Sequence, residues 1–209
     1  MPFHRFDIAA LAASPWKNGG GATREIVCSP AGADIDGFDW RASIATIDRP
    51  GPFSVFPGID RVIMLLDGAG VHLLSRDGRI DHRLVRPHAP FAFSGDTVLD
   101  CHLNAGPTTD FNLMTRRGRV RAELQLLREA HAIAPAEGGL LLVLSGQWQL
   151  DDLACAPGQG VWWDGASHAW HVHPENPQNV LISVRIESMT DTDTDTTADT
   201  ATDTGAASP

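Results

Sequence analysis

The sequence lacks the features that would place a chain of 209 residues in several common classes. Its three cysteines, Cys28, Cys101 and Cys155, are widely spaced and form no C-x-x-C pair, which argues against a disulfide framework and a zinc knuckle. No segment approaches the run of about 18 apolar residues that indicates a membrane span, and the N-terminal apolar run is interrupted by Asp7. We therefore expect reduced thiols, no membrane partner and a cytoplasmic location.

The charge of the chain is acidic and unevenly distributed. The formal net charge is −10 at pH 7, and no basic stripe or aromatic platform with basic neighbours is visible, so nucleic acid is not an expected partner. Half of this charge comes from five aspartates in the repetitive Thr/Asp-rich segment at residues 190–209. That segment has no hydrophobic period and almost no bulky side chain, so we predict a disordered tail there.

A weak internal repeat indicates the fold class. Residues 61–68 and residues 139–146 are each an apolar strand that ends in a Leu-polar-Gly turn, and each is followed by turn residues and a second apolar strand. This order is typical of antiparallel jelly-roll barrels, and the two hairpins resemble those of cupin domains. The sequence therefore predicts an all-β protein with two tandem cupin-type jelly-roll β-barrels, a bicupin, and few short helices, near residues 11–13 or 121–128.

Polar side chains alternate with apolar ones along three predicted strands, at residues 23–27, 40–47 and 109–116. Because successive side chains of a strand point to opposite faces, each strand has one polar face. The polar sets are Thr23 with Glu25, Arg41 with Ser43, and Asp110 with Asn112. Such faces are either exposed to solvent or line a barrel lumen. Single, complementary charges among Asn, Ser and Thr suit a hydrogen-bonding pocket better than an outer surface rich in Lys and Glu.

The segment P-W-K-N-G-G-G-A-T-R-E-I-V at residues 15–27 contains three successive glycines. Glycines of this kind let the backbone turn tightly and approach a neighbour or a ligand closely, with Lys17 and Asn18 just before the turn. A phosphate-binding loop would need Lys-Ser/Thr and a helix after its glycines. Here a strand-like T-R-E-I-V follows instead, so the segment is not a phosphate loop.

Four motifs in this order resemble the HutD family of histidine-utilization proteins, over residues 3–187: W-K-N-G-G-G-x-T-x-E-I (16–26), W-R-x-S-x-A (40–45), G-P-F-S-x-F-P-G-x-D-R (51–61) and D-F-N-x-M-x-R (110–116). The resemblance implies a regulator of histidine utilization that binds a small carboxylate intermediate, either urocanate or formylated or formiminated glutamate. The alternative is a cupin enzyme, of the isomerase or deformylase type, that acts on the same intermediates. We place the N-terminal barrel with its ligand pocket in residues 1–118, a smaller C-terminal barrel in residues 119–189, and the tail in residues 190–209.

The positions that match the family motifs form the predicted ligand site: Lys17, Asn18, Thr23, Glu25, Arg41, Ser43, Arg61, Asp110 and Asn112. Our hypothesis assigns Arg61, with Arg41 or Lys17 nearby, to the ligand carboxylate, because a guanidinium offers a planar fork to two oxygens. Glu25 or Asp110 would accept from an imidazole or amide N–H group, and the hydroxyl and amide side chains would orient the other polar atoms. Phe53 and Phe56 are either an apolar wall of this pocket or ordinary core residues.

The histidines of the chain do not form the pattern expected of a metal-binding cupin. Such a site would place His-x-His and a Glu on the first hairpin and a further His later, and residues 61–68 have no such cluster. His171, His173 and Glu175 share one face of a strand in the second barrel, and they are either metal ligands or partly exposed side chains. We predict no metal, no other cofactor and no catalytic residue, and we expect a homodimer as a further association.

Overall fold

The structure is a computed structural model that describes residues 3–34, 36–175 and 178–189. Within these residues it contains seventeen β-strands and one short 3-10 helix, Ile8–Ala10. The strands are β1 His4–Asp7, β2 Ala13–Pro15, β3 Gly21–Ser29, β4 Trp40–Ile47, β5 Gly51–Pro52, β6 Ile59–Asp67, β7 Val71–Ser75, β8 Asp81–Leu84, β9 Phe91–Ser94, β10 Leu99–Leu103, β11 Thr108–Arg116, β12 Val120–Leu127, β13 His131–Ser145, β14 Trp148–Leu150, β15 Leu153–Cys155, β16 Gln159–Pro174 and β17 Val180–Ser188. The predicted all-β class is confirmed.

The strands form three antiparallel sheets. The central sheet has the order β2-β3-β4-β11-β6-β9, and a four-stranded cover sheet has the order β5-β10-β7-β8. The C-terminal sheet has the order β12-β17-β13-β16-β14-β15, and β1 is added to it by pairing with β16. The first strand of the chain therefore lies in the sheet that the C-terminal residues build.

The central sheet is covered on both faces. On one face Trp40, Ala42 and Ile44 pack against the C-terminal sheet in a shared apolar core. On the other face a second apolar core, which includes Ile63 and Leu65, joins the central sheet to the cover sheet. Each large apolar side chain that is fully buried in this way stabilises the folded state by roughly 1.5–3 kcal/mol relative to an exposed one. We refer to the central and cover sheets as the first barrel.

The C-terminal sheet curls around an apolar core of its own, which we refer to as the second barrel. Three indoles fill it, those of Trp148, Trp163 and Trp170, and all three are almost fully buried. The two barrels are in direct polar contact, since the Ser29 hydroxyl of β3 donates to Asp164 Oδ2 of β16 at 2.5 Å. This arrangement gives a cupin-like fold and is compatible with the predicted pair of barrels, whose residue boundaries stay a prediction.

The two turns of the internal repeat are alike in the structure. β6 leads into Gly68, with a φ of +92°, and β13 leads into Gly146, with a φ of +75°. Both are left-handed conformations that L-residues with side chains rarely adopt. A Cβ atom would also collide with the Pro107 carbonyl oxygen at Gly68 and with the Asn179 side chain at Gly146. Each copy of the repeated Leu-polar-Gly pattern therefore marks a turn whose last residue needs a left-handed backbone conformation.

Of the two alternative positions predicted for a short helix, residues 121–128 are wrong, and the 3-10 helix Ile8–Ala10 lies directly before the other, residues 11–13. Residues 121–128 lie almost wholly in β12, which pairs with β17 in continuous register from Val120 opposite Ser188 to Leu127 opposite Leu181. Alternate residues of β12 pack against the core, so the apolar period is two and overrides a fair helix propensity. At the other position, β2 begins at Ala13, and the only helix in the described residues is the 3-10 helix that ends at Ala10.

Two further expectations concern the ends of the chain and the membrane. The predicted disordered tail at residues 190–209 lies outside the described residues. Across the ranges that the structure describes, no helix is long and apolar enough to cross a bilayer.

Candidate ligand site

The three polar sets lie on one face of the central sheet, the face that points to the cover sheet. The register aligns them in three rows across strands β3, β4, β11 and β6. The arginine row is Cys28, Arg41, Met114 and Arg61; the amide row is Glu25, Ser43, Asn112 and Ile63; the acid row is Thr23, Ala45, Asp110 and Leu65. The parity inferred from alternation is therefore correct, and seven of the nine predicted site residues share this face.

The side chain of Arg61 is buried among aromatic rings, with only 6% of the residue exposed. Its guanidinium carbon lies 5.0 Å from the ring centroid of Phe93, 5.1 Å from that of Phe56 and 5.6 Å from that of Phe53. A guanidinium held over aromatic faces is stabilised by the ring quadrupoles, more strongly when water is excluded. Phe53 and Phe56 are thus in contact with a predicted site residue, and their rings hold its charged group in place.

The polar contacts of Arg61 are few for a buried cation. Nη2 donates to Asn112 Oδ1 at 3.1 Å, Nη1 donates to the Ser54 carbonyl at a long 3.4 Å, and Nε has no partner. Among the ion pairs of the described residues, none includes Arg61. Burial, with a smaller contribution from the charge of Arg41, lowers the pKa of Arg61 to about 10, so it remains protonated at neutral pH without a neighbouring anion.

Arg41 lies in the same row but is electrostatically different. Its Nε donates to Glu25 Oε2 at 2.7 Å, and the side chains of Arg41 and Glu25 are 14% and 49% exposed. Met114 separates Arg41 from Arg61 in the register, so the two arginines stand two strand spacings apart, about 9.6 Å between Cα atoms. Of the two, Arg41 has a carboxylate partner within the protein.

Asp110 in the acid row is fully buried, with 0% exposure. Neither of its carboxyl oxygens has a hydrogen-bond partner. Its neighbours on β4 and β6 are Ala45 and Leu65, and desolvation raises the pKa of Asp110 to about 7. The nearby Cys101 of the cover sheet has its thiol pKa raised to about 12, first by burial and then by Asp110.

The turn at residues 16–21 uses two of the predicted site residues for its own geometry. Asn18 Oδ1 accepts from the Gly20 N–H at 2.9 Å, and Thr23 Oγ1 accepts from the Trp16 indole N–H at 2.8 Å. Lys17 is exposed, and in the described residues it is part of no ion pair. The turn adjoins the start of β3, beyond the acid row, so the structure does not bring Lys17 and Asn18 to Arg61.

Sequence reasoning missed Phe93 and Met114 on the central sheet and Cys101 on the cover sheet that faces it. Phe93 stands opposite Arg61 in the pairing of β6 with β9, and it supplies the aromatic ring nearest to the guanidinium. A local signal existed, because Phe91 and Phe93 are two residues apart and therefore share one strand face. The position of Cys101 near Asp110 depends on how the cover sheet packs against the central sheet, and no local sequence pattern indicates it.

The histidines of the second barrel make local contacts with Asp151. His168 Nε2 lies 2.9 Å from Asp151 Oδ2, and the backbone N–H of His171 donates to Asp151 Oδ1 at 2.9 Å. His171 and His173 are both exposed. Within the described part of the chain, no group of three or more His, Cys, Asp or Glu side chains is arranged to hold a metal ion.

Two surface clefts lie away from the polar face. One of about 210 Å³ is lined by Arg5, Phe6, Asp7, Cys155, Gln159 and Gly160, and one of about 270 Å³ by His82, Arg83, Leu84, Val85, Arg86, Ala89 and Pro90. In the first cleft the Asp7 carboxylate already accepts from the Ala9 N–H and from Gln159 Nε2. Neither cleft contains a predicted site residue. Among the described residues, none that lines either cleft has a buried side-chain nitrogen or oxygen without a hydrogen-bond partner.

The curled antiparallel sheets define an all-β, cupin-like protein, and the buried guanidinium of Arg61, which has no carboxylate partner in the described residues, marks a candidate anion site on its central sheet. Comparisons with known proteins add the family: the family model described as HutD matches residues 8–182. The chain belongs to the HutD family, and the resemblance seen in its motifs is confirmed.

The relatives agree with this assignment. Protein Ves of Cronobacter sakazakii is 45% identical over 164 residues, which cover 78% of this chain and 88% of that protein. The structure of HutD from Pseudomonas fluorescens SBW25, determined in a formate condition, is 31% identical with a TM-score of 0.79, and the match covers 90% of this chain and 100% of that one. Oxalate decarboxylase from Lactobacillus farciminis, at 9% identity and a TM-score of 0.57, covering 87% and 85%, shares the fold alone.

Proposed function

We propose that this protein is a metabolite-binding regulator of histidine utilization whose first barrel binds a small carboxylate. Urocanate and formylated or formiminated glutamate are the candidate ligands. The single observation that supports this proposal is Arg61, a buried cation that has no carboxylate partner in the described residues. The relationship to HutD of Pseudomonas fluorescens supports the link to histidine utilization.

A buried charge without a counter-ion is costly, because removal from water is offset only by pairing and hydrogen bonding. Arg61 has one good hydrogen bond, to Asn112, and a free Nε. A ligand carboxylate would supply both the missing charge and the missing acceptors, in the planar two-oxygen geometry that suits a guanidinium. Arg41 is less available for this role, because Glu25 already holds it.

The amide row provides the polar groups that would orient the ligand. Asn112 accepts from Arg61 through Oδ1, which leaves its amide nitrogen as a donor. Ser43 lies directly between Asn112 and Glu25 in the register, so a hydroxyl and a carboxylate continue the row. The aromatic rings around Arg61 would form the apolar wall beside the bound molecule.

The second candidate function is an enzyme that acts on the same intermediates. The observation in its favour is Asp110, because a carboxyl group whose pKa lies near 7 is suited to general acid or base catalysis. Turnover of urocanate or of the two glutamate derivatives by the purified protein, lost in Asp110→Asn, would favour the enzyme over the regulator. Formation of a homodimer and a cytoplasmic location stay independent proposals.

Calorimetric titration with urocanate, N-formyl-L-glutamate, N-formimino-L-glutamate and formate tests the binding proposal. We expect Arg61→Met to weaken the binding of every probe that binds the wild-type protein by about ten- to a hundredfold, since a charge-assisted hydrogen bond contributes about 1.5–3 kcal/mol. Methionine keeps most of the side-chain volume among the aromatic rings. Arg116→Met is the matched control, because Arg116 also lies over a ring, 5.5 Å from the centroid of Phe38, but hydrogen-bonds to loop carbonyls. Equal affinities of wild type and Arg61→Met would refute the proposal, as would a wild-type protein that binds none of the four probes.

A further inference from the structure

Asp110 is a second buried group on the polar face, at a distance from the arginines. On β11 it occupies the acid row, whereas Met114 marks the arginine row four residues further along. Four residues of an extended strand span about 13 Å between Cα atoms. Neither Arg41 nor Arg61 therefore serves as a counter-ion for Asp110, and its two oxygens lack any hydrogen-bond partner.

The surroundings of Asp110 favour its uncharged form. β4 and β6 present Ala45 and Leu65 to it, and the cover sheet presents the Cys101 thiol, whose own raised pKa keeps it neutral. Thr23 of β3 completes the row and is not ionisable. The other charged groups of this face lie further from Asp110 along the strands: Glu25 is in the amide row, and Arg41 and Arg61 are in the arginine row. Desolvation without compensation accordingly raises the pKa of Asp110 to about 7.

A protonated carboxyl group carries one O–H donor as well as acceptor capacity. For Asp110 no acceptor is within hydrogen-bond distance in the described residues. A buried donor without an acceptor costs about 1–3 kcal/mol. The face of the central sheet that points to the cover sheet thus carries a buried cation without a carboxylate partner in the arginine row and a buried acid without a hydrogen-bond partner in the acid row, with the amide row between them.

We propose that Asp110 is the hydrogen-bond donor at the inner end of the ligand site, and that it selects elongated carboxylates with a carbonyl, imine or second carboxyl acceptor several bonds from the carboxylate held at Arg61. This inference rests on the proposed function. A compact anion such as formate would reach Arg61 alone. Ionisation of Asp110 would place a negative charge beside the acceptor and would remove the donor, so the binding of an elongated ligand would be coupled to retention of a proton.

The test compares two probes, formate and N-formyl-L-glutamate, by calorimetric titration between pH 6 and pH 8.5. The carboxylates of both probes are ionised throughout this range. We expect the affinity of the wild-type protein for N-formyl-L-glutamate to fall about thirtyfold from pH 6 to pH 8.5, because each pH unit above the pKa of Asp110 costs about tenfold. The affinity for formate should stay constant over the same range.

Two substitutions of Asp110 distinguish the effect of its hydrogen-bond donor on binding from the effect of its negative charge. Asp110→Asn keeps a donor and cannot ionise, so it should bind N-formyl-L-glutamate independently of pH, and any slope that remains measures other groups such as surface histidines. Asp110→Leu has a similar size but no donor, so it should bind this probe at least tenfold more weakly at pH 6 while it binds formate normally. Thermal unfolding of both variants verifies that they are folded.

The results distinguish failure of this inference from failure of the proposed function. If wild type and Asp110→Asn have the same pH dependence, or if Asp110→Leu binds N-formyl-L-glutamate as wild type does, Asp110 is a structural acid and the inference is wrong. The dependence of formate binding on Arg61 would then still support the proposed function. If the wild-type protein binds neither probe at any pH, this inference is wrong, and the proposed function falls with it only if urocanate and N-formimino-L-glutamate also fail to bind.

Discussion

The first barrel contains the buried side chains of Arg61 and Asp110, whereas the second barrel is filled by apolar groups and three indoles. Among the described residues, these are the two buried members of the Asp, Glu, Lys and Arg types, and both point into the first barrel. The second barrel also has buried polar atoms without a partner, among them the uncharged indole N–H groups of Trp148 and Trp170 and Nε of Arg185, whose guanidinium is paired with Glu123 and Glu187 through its other nitrogens. An unpaired buried N–H costs far less than an unpaired ion. The second barrel is therefore an ordinary apolar core, whereas the first barrel keeps a buried cation and a buried acid that have no oppositely charged partner in the described residues.

The strongest test of this comparison removes an indole from the second barrel. Trp163 is 1% exposed, and its Nε1–H donates to the Ala136 carbonyl at 3.1 Å. We expect Trp163→Ala to lower the free energy of unfolding by about 5 kcal/mol, because it leaves a large cavity and an unpaired carbonyl. Urea denaturation measures this loss. A loss under about 1.5 kcal/mol would mean that the second barrel is not the stabilising core described above.

The pH dependence of stability tests the corresponding claim for the first barrel. The folded pKa of Asp110, about 7, lies above its value of about 3.9 in an unfolded chain. The folded state therefore binds the proton more tightly, so the contribution of Asp110 to stability is complete below about pH 4, is lost as the pH rises to about 7, and is constant above that. The total loss is about 4 kcal/mol.

Asp110→Asn should remove this slope, and it should be more stable than the wild-type protein at pH 8. Urea denaturation of both proteins at several pH values isolates the effect, because all other groups titrate alike in the two. Parallel stability curves between pH 4 and pH 7 would show that Asp110 is ionised and satisfied in the folded protein.

The repeated turns offer a matched pair of substitutions, one in each barrel. Gly68→Ala and Gly146→Ala both place a side chain at positive φ, and both bring a Cβ atom against a neighbour. We expect each to lower the free energy of unfolding by about 2–3 kcal/mol, from strain and collision together. Gly78→Ala is the control, since its φ is +72° but no atom lies near the added Cβ, and it should cost about 1–2 kcal/mol. Equal losses at all three positions would show that close packing at the repeat turns contributes nothing.

The smallest expected effect concerns the Arg41–Glu25 ion pair at the exposed side of the first barrel. Glu25→Gln should change the free energy of unfolding by less than about 1 kcal/mol, because partly exposed pairs contribute little. It should, however, strengthen formate binding a few-fold, since Arg41 would no longer be neutralised. Glu123→Gln, which affects the Arg185 pair on the C-terminal sheet, is the matched control. Weaker formate binding in Glu25→Gln would indicate that Glu25 itself contacts the ligand.

Some features of the candidate site could be predicted because they are local. Strand parity correctly grouped Thr23 with Glu25, Arg41 with Ser43, and Asp110 with Asn112. The same kind of pattern was overlooked at residues 121–128, where alternation indicated β12 and propensity suggested a helix. The local use of Asn18 and Thr23 in the turn at residues 16–21 was also missed, because a hydrogen bond inside the turn competes with a role in the pocket.

What the amino-acid sequence alone determines is which side chains share a face, where the chain must turn through glycine, and to which family it belongs. Alternation and left-handed turns are properties of neighbouring residues, so they can be predicted from the sequence alone. Only the tertiary structure decides that Glu25 neutralises Arg41 while Arg61 stays unpaired, and that Leu65 and Cys101 seal Asp110 from water. Pairing and desolvation depend on strands that are distant along the chain, and they set the charge state of the groups on which the proposed function rests.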